Sequence, residues 1–83
     1  MKHDDLTLKI SSGDDDVTLA FPKTTKIKDV EDAAIQELGF EGNSDDFELV
    51  YNGTTLEPEE RPLASFHIPD NACLELVATG DGV

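Results

Sequence analysis

Leu49–Ile68, LVYNGTTLEPEERPLASFHI, decides how the rest of the chain is read. Asn52-Gly53 is a strong hairpin signal, because a type I′ turn needs positive φ at both central residues. FELVY (Phe47–Tyr51) before it alternates, with Phe47, Leu49 and Tyr51 on one face and Glu48 and Val50 on the other. TTL (Thr54–Leu56) after it is a short returning strand. EPEERP (Glu57–Pro62) is a loop, and LASFHI (Leu63–Ile68) reads as a compact turn or one turn of 3₁₀ helix.

Upstream, LTLKI (Leu6–Ile10) and VTLAF (Val17–Phe21) alternate in the same way around the polar turn SSGDDD (Ser11–Asp16). Leu6, Leu8, Ile10, Val17, Leu19 and Phe21 are expected inward. Asp14–Asp16 lack the alternating ligands and distal Glu of a calcium loop, so they read as a solvated turn. Pro22 ends the second strand. Thr24 or Thr25 is expected to cap a helix from about Ile27 to Leu38, with Gly39 as its left-handed stop. Ile27, Val30, Ala34 and Leu38 fall on one stripe, with Ile35 at its edge. Glu31 falls inside that stripe. A buried carboxylate needs a partner. Either Arg61, the sole cation of the second half, supplies it, or Glu31 snorkels to water from the rim. Downstream, Phe40 is expected to dip into the core from the loop FEGNSDD. ACLELV (Ala72–Val77) is the last strand, with Leu74 and Leu76 inward and Glu75 and Val77 outward. The order strand, strand, helix, strand, short strand, strand gives one sheet with the helix on one face, an α+β class.

The chain has 83 residues, enough for one domain, 1–83, with a core over about 6–78 and a tail at 79–83. It carries 19 acids against 6 basic residues, a net charge of −13. Residues 1–28 are neutral, whereas 29–83 set 14 acids against Arg61 alone. This serves solubility or a salty cytoplasm, or forms a face for a basic partner. It opposes nucleic-acid binding, because the long-range force on phosphates has the wrong sign. No apolar run approaches the ~20 residues of a membrane span, and MKHDDLTLKI has no apolar signal core. Cytoplasmic residence, no membrane and a monomer are therefore expected. The single Cys73 gives no internal disulfide and no zinc spacing. His3, His67 and Cys73 are the candidate reactive groups. None has a sequence-level partner that would activate it, and no phosphate loop or metal cluster is present. Neither an enzyme nor a cofactor is expected.

The ordered apolar positions Leu49, Val50, Gly53, Leu56, Leu63, Phe66 and Ile68, with Ile27-x-x-Val30 and Gly39, resemble ubiquitin and its relatives. The resemblance covers about Leu6 to Ala78. It implies the ubiquitin-like β-grasp fold: a mixed sheet of four to five strands on one main helix, with first and last strands parallel and adjacent. It also implies where partners dock. Ubiquitin is read through an apolar patch ringed by basic residues on the open sheet face. Two of the three apolar positions align as Val50 and Val77; the third falls near Ser11–Gly13 and is not apolar. The basic ring becomes Glu48 and Glu75. Partners of ubiquitin itself should not dock, whereas an apolar knob ringed by cations would be complementary. Alternatively, Val50 and Val77 are two scattered exposed valines. Lys23, Lys26 and Lys28 before the helix form a second candidate surface.

Three roles follow. One is a non-covalent protein–protein interaction module. Another is a conjugated modifier or sulfur carrier, activated at a trimmed C-terminal glycine. The third is an acidic decoy for a basic surface. The tail VATGDGV bears on the second. It has six residues after Val77, as ubiquitin does, and its Gly80 and Gly82 suit passage through a narrow activating channel. Gly82 aligns with the first terminal glycine of ubiquitin, but Val83 stands in place of the last. Thr79 and Asp81 replace the two arginines that activating enzymes read. The tail is expected to be a relic or a flexible end.

Overall fold

The computed structural model describes residues 5–79. Its elements are β1 (Asp5–Ser12), β2 (Asp15–Pro22), α1 (Ile27–Leu38), a 3₁₀ turn at Ser44–Asp46, β3 (Phe47–Tyr51), β4 (Thr54–Thr55), a second 3₁₀ turn at Leu63–Phe66, and β5 (Ala72–Ala78). The strands form one sheet in the order β2-β1-β5-β3-β4. β1 and β5 run parallel at its centre, with Leu8 opposite Ala72 and Ile10 opposite Leu74. All other pairs are antiparallel.

The central pair is the most apolar part because it is covered by α1 on one face and by strands on both edges. Leu8, Ile10, Leu74, Leu76 and Leu49 are sealed from water, and Ile27, Val30, Ala34 and Ile35 of α1 close over them. The outer strand β2 is less protected. Val17, Leu19 and Phe21 are only half-buried, and Val17 and Phe21 pack on the margin of the core. The β1–β2 hairpin is tighter than the sequence suggests. Ser11 pairs with Asp16 and Ser12 with Asp15, so the turn shrinks to Gly13-Asp14, with Gly13 at φ +62°. Asn52 and Gly53 adopt φ of +53° and +80°, the positive values that a type I′ turn demands. Gly39 stops α1 in the left-handed region at φ +80°. Phe40 is half-buried and stacks on Phe47, ring centroids 5.8 Å apart. Asn43 caps the following 3₁₀ turn by accepting from the Asp45 N–H, and Asp46 returns the bond to the Asn43 N–H.

The helix start differs from expectation. Neither threonine caps it, and the N-cap residue, Lys26, makes no side-chain capping bond. The connection Glu57–Leu63 supplies the acceptors instead. The Ile27 N–H donates to the Arg61 carbonyl at 3.0 Å, and the Lys28 N–H donates to the Glu59 carbonyl at 2.9 Å. The Leu63 N–H donates back to the Thr25 carbonyl at 2.9 Å, and Lys26 bridges Pro62. Helix N–H groups that have no intrahelical partner are thus satisfied by a strand-like clasp.

This packing sets expectations for truncation. Leu74→Ala should lower stability by about 2–5 kcal/mol, since it opens a cavity under the helix. Leu19→Ala, on the half-buried edge, should cost clearly less. Urea unfolding of both variants checks the ranking, and equal losses would contradict it.

Candidate functional site

The open face of the sheet carries the sequence-predicted surface. In the β3–β5 register Glu48 lies opposite Val77 and Val50 opposite Glu75. The four residues therefore form a two-by-two checkerboard, with the valines on one diagonal and the acids on the other. Diagonal neighbours in an antiparallel pair are about 7–8 Å apart. The valines are half-buried. Toward β1, Ser11 lies opposite Glu75 and Lys9 opposite Cys73. Toward β4, Thr55 lies opposite Val50. Alternation puts these side chains outward because Leu49, Leu74 and Leu76 point into the core.

The three lysines are elsewhere. Lys23, Lys26 and Lys28 are exposed around the start of α1, away from the checkerboard. The Lys23 carbonyl accepts from the Ala64 N–H at 3.0 Å, which ties this segment to the second 3₁₀ turn. Positive charge at a helix N-terminus opposes the macrodipole, and Asp29 in the first turn offsets it. Cys73 is exposed. His67 is exposed too and holds a left-handed backbone at φ +54°. Gly80 and Gly82 lie outside the described residues. Thr79, the last of those described, donates its N–H to the Asp46 carbonyl at 3.0 Å.

Glu31 is where the sequence reading needs correction. Neither alternative, an Arg61 partner or a snorkelling carboxylate, holds. Glu31 is 2% exposed. Arg61 uses its backbone carbonyl on the helix, and its side chain is exposed. The clasp instead sets Glu59 beside the first turn of α1. Helical side chains lean toward the N-terminus, so Glu31 reaches back to Glu59. Two carboxyl groups then meet, Glu31 sealed from water and Glu59 half-buried. The Glu31 carboxyl is pushed up to about 9, chiefly by loss of water on burial, then by the Glu59 carboxyl as hydrogen-bond partner and like charge. The Leu49 backbone pulls the other way, and the charge of Asp32 adds slightly to the rise. At neutral pH Glu31 therefore holds a proton. Its Oε1 has no hydrogen-bond partner.

Glu31 lines a cleft of about 340 Å³ between the edge of the sheet, the first 3₁₀ turn and the connection after β4. Asp45, Glu48, Glu57, Glu59 and Glu60 also line it, with Phe47, Leu56 and Pro58 as apolar wall. Sequence periodicity flagged Glu31 as misplaced. It carried no signal that Glu59 would be the neighbour, because the clasp is made by backbone groups.

Comparison with known proteins gives the fold. No family model matches the chain, and no curated protein matches it. Solved structures do. A de novo designed protein based on ubiquitin is 21% identical with a TM-score of 0.81, covering 95% of this chain and 94% of its own. The N-terminal ubiquitin-like domain of the 4931431F19Rik protein is 13% identical with a TM-score of 0.80, covering 99% of this chain and 82% of that one. A structure described as molecular mimicry of SUMO that promotes DNA repair is 22% identical with a TM-score of 0.80, covering 93% and 95%. The chain has the ubiquitin-like β-grasp fold. Among the described residues no helix is long and apolar enough to cross a membrane.

The Glu31 environment makes stability depend on pH with a definite sign. Below its ordinary value of 4.5, folded and unfolded chains both hold the proton. From there up to about 9 the unfolded chain ionises and the folded one does not, so stability falls as pH rises. The loss amounts to about 3 kcal/mol at pH 7. Glu31→Gln, which cannot ionise, should be more stable than the parent by roughly 2–3 kcal/mol at pH 7, with the difference vanishing below pH 4.5. Urea unfolding at pH 4.5, 7 and 9 measures it. A difference independent of pH would contradict the assignment.

Proposed function

We propose that the chain is a single ubiquitin-like domain that works as a non-covalent protein–protein interaction module and is not an enzyme. The observation that carries this reading is the checkerboard of Val50 and Val77 with Glu48 and Glu75 on the uncovered sheet face. The two valines give a small apolar contact, and the acids on the other diagonal select against a partner with acidic surroundings. The partner that fits is a protein with an apolar knob ringed by basic residues. The exposed Lys23, Lys26 and Lys28 at the helix start offer a second contact of opposite sign. A net charge of −13 speeds encounter with basic proteins and disfavours nucleic acid. We place the protein in the cytoplasm as a monomer on composition alone.

The test is crosslinking in cells with a photoreactive residue at Thr55, beside Val50. Partners should be recovered with the parent and lost with Val50→Asp combined with Val77→Asp, while the variant's urea midpoint stays within error. Recovery of the same partners from both would contradict the proposal. The modifier reading predicts a different result. ATP and an activating enzyme should then yield an adenylate or thioester at Gly82 after removal of Val83, and on the present proposal none forms.

A further inference from the structure

The acidic cleft at the sheet edge borders the checkerboard, sharing Glu48 with it, and the interaction reading makes no use of the rest of its lining. Six of its lining residues are acids: Glu31, Asp45, Glu48, Glu57, Glu59 and Glu60. None of the residues lining it is basic. Carboxyl groups this crowded repel one another, and acids alone would mean only a solvated rim. Glu31 makes the difference. It is 98% shielded from water, it lines the cleft, and its Oε1 has no hydrogen-bond partner. A buried polar atom left unpaired is destabilising, and a donor from outside the chain would relieve it.

The shape of the site selects the donor. Phe47, Leu56 and Pro58 provide an apolar wall beside the carboxyl groups. That combination suits a long side chain with an aliphatic stem and a cationic head. Among the described residues, no three carboxylates converge in the manner of metal ligands. Two carboxyl groups side by side suit a planar fork with several donors better than a point charge. The volume, about 340 Å³, is at the lower end of ligand-sized sites, which run from about 300 to 1,000 Å³.

We propose that this cleft is a docking site for an arginine side chain of a basic protein partner, the guanidinium seated at Glu31 and Glu59 and the stem lying along Phe47, Leu56 and Pro58. Binding is coupled to a proton. The free protein holds one on Glu31; the arriving guanidinium displaces it to solvent, and the carboxylate that remains accepts the N–H groups. The charged groups that act on Glu31 are acids, Glu59 and, from α1 itself, Asp32. Asp45 from the first 3₁₀ turn and Glu48 from β3 line the same cleft. Glu57, Glu59 and Glu60 come from the connection after β4. Each favours the cation and none supplies a competing one.

The test uses N-acetyl-L-argininamide as a single-cation probe and its neutral near-isostere N-acetyl-L-citrullinamide, at constant ionic strength, followed by ¹H–¹⁵N NMR. The arginine probe should give saturable shifts confined to residues around Glu31, Thr55 and Glu59, with a dissociation constant on the order of millimolar. Citrulline should give none. The dissociation constant should fall by close to tenfold per pH unit between pH 6 and 8, the signature of one released proton. Glu31→Gln should weaken binding at least tenfold and abolish that pH dependence; Glu37→Gln, which removes an exposed acid elsewhere on α1, should change neither. Glu59→Gln, an independent change at the same pair, should also weaken binding at least tenfold. Shifts spread over the whole acidic surface, equal response to citrulline, or unchanged binding in both Glu31→Gln and Glu59→Gln would overturn the proposal. The probe is judged by Glu31 and Glu59 variants and the checkerboard by Val50 and Val77 variants, so failure of either leaves the other standing although Glu48 belongs to both surfaces.

Discussion

Two backbone hydrogen bonds govern the arrangement of this protein: Ile27 N–H to the Arg61 carbonyl and Lys28 N–H to the Glu59 carbonyl. They give the helix the acceptors that its first turn lacks, in a place where no side chain caps it. They also decide which part of the connection after β4 lies over the helix. Side chains one turn further along α1 then meet whatever that connection carries. Here they meet Glu59, and the pairing of two carboxyl groups follows from a backbone requirement.

The core explains how such a pairing is tolerated. Leu8, Ile10, Leu49, Leu74 and Leu76 against Ile27, Val30 and Ile35 form a sealed layer, and burial of each large apolar side chain contributes about 1.5–3 kcal/mol. One protonated carboxyl at its margin is a small penalty against that total. The carboxyl stays neutral because the proton costs less than an ion without water. The same choice leaves a buried acid with an unpaired oxygen in the lining of a cleft. A hydrophobic residue there would be more stable.

Much of this was legible in the sequence. The alternation in Leu6–Ile10 and Ala72–Val77, the Asn52-Gly53 turn and the helix stripe ending at Gly39 each have a local cause, and local causes can be read from neighbouring residues. The checkerboard followed from the same alternation once the β3–β5 register was known. What was illegible is non-local. The capping of α1 by Arg61 and Glu59 carbonyls depends on no side-chain type, so the threonines looked like caps and were not. Glu31 stood out as a charge in an apolar stripe. Charge complementarity then pointed to Arg61, whose contribution is its carbonyl, while the acid two residues earlier came to lie beside Glu31.

The chemistry of this site depends most on Glu31 holding its proton in the folded protein at neutral pH. Carbon-13 NMR of the Glu31 side-chain carboxyl, followed from pH 3 to pH 10, measures this directly. A midpoint near 9, far above the ordinary 4.5, is expected. A midpoint between about 4 and 5, the range of a hydrated glutamate, would contradict it.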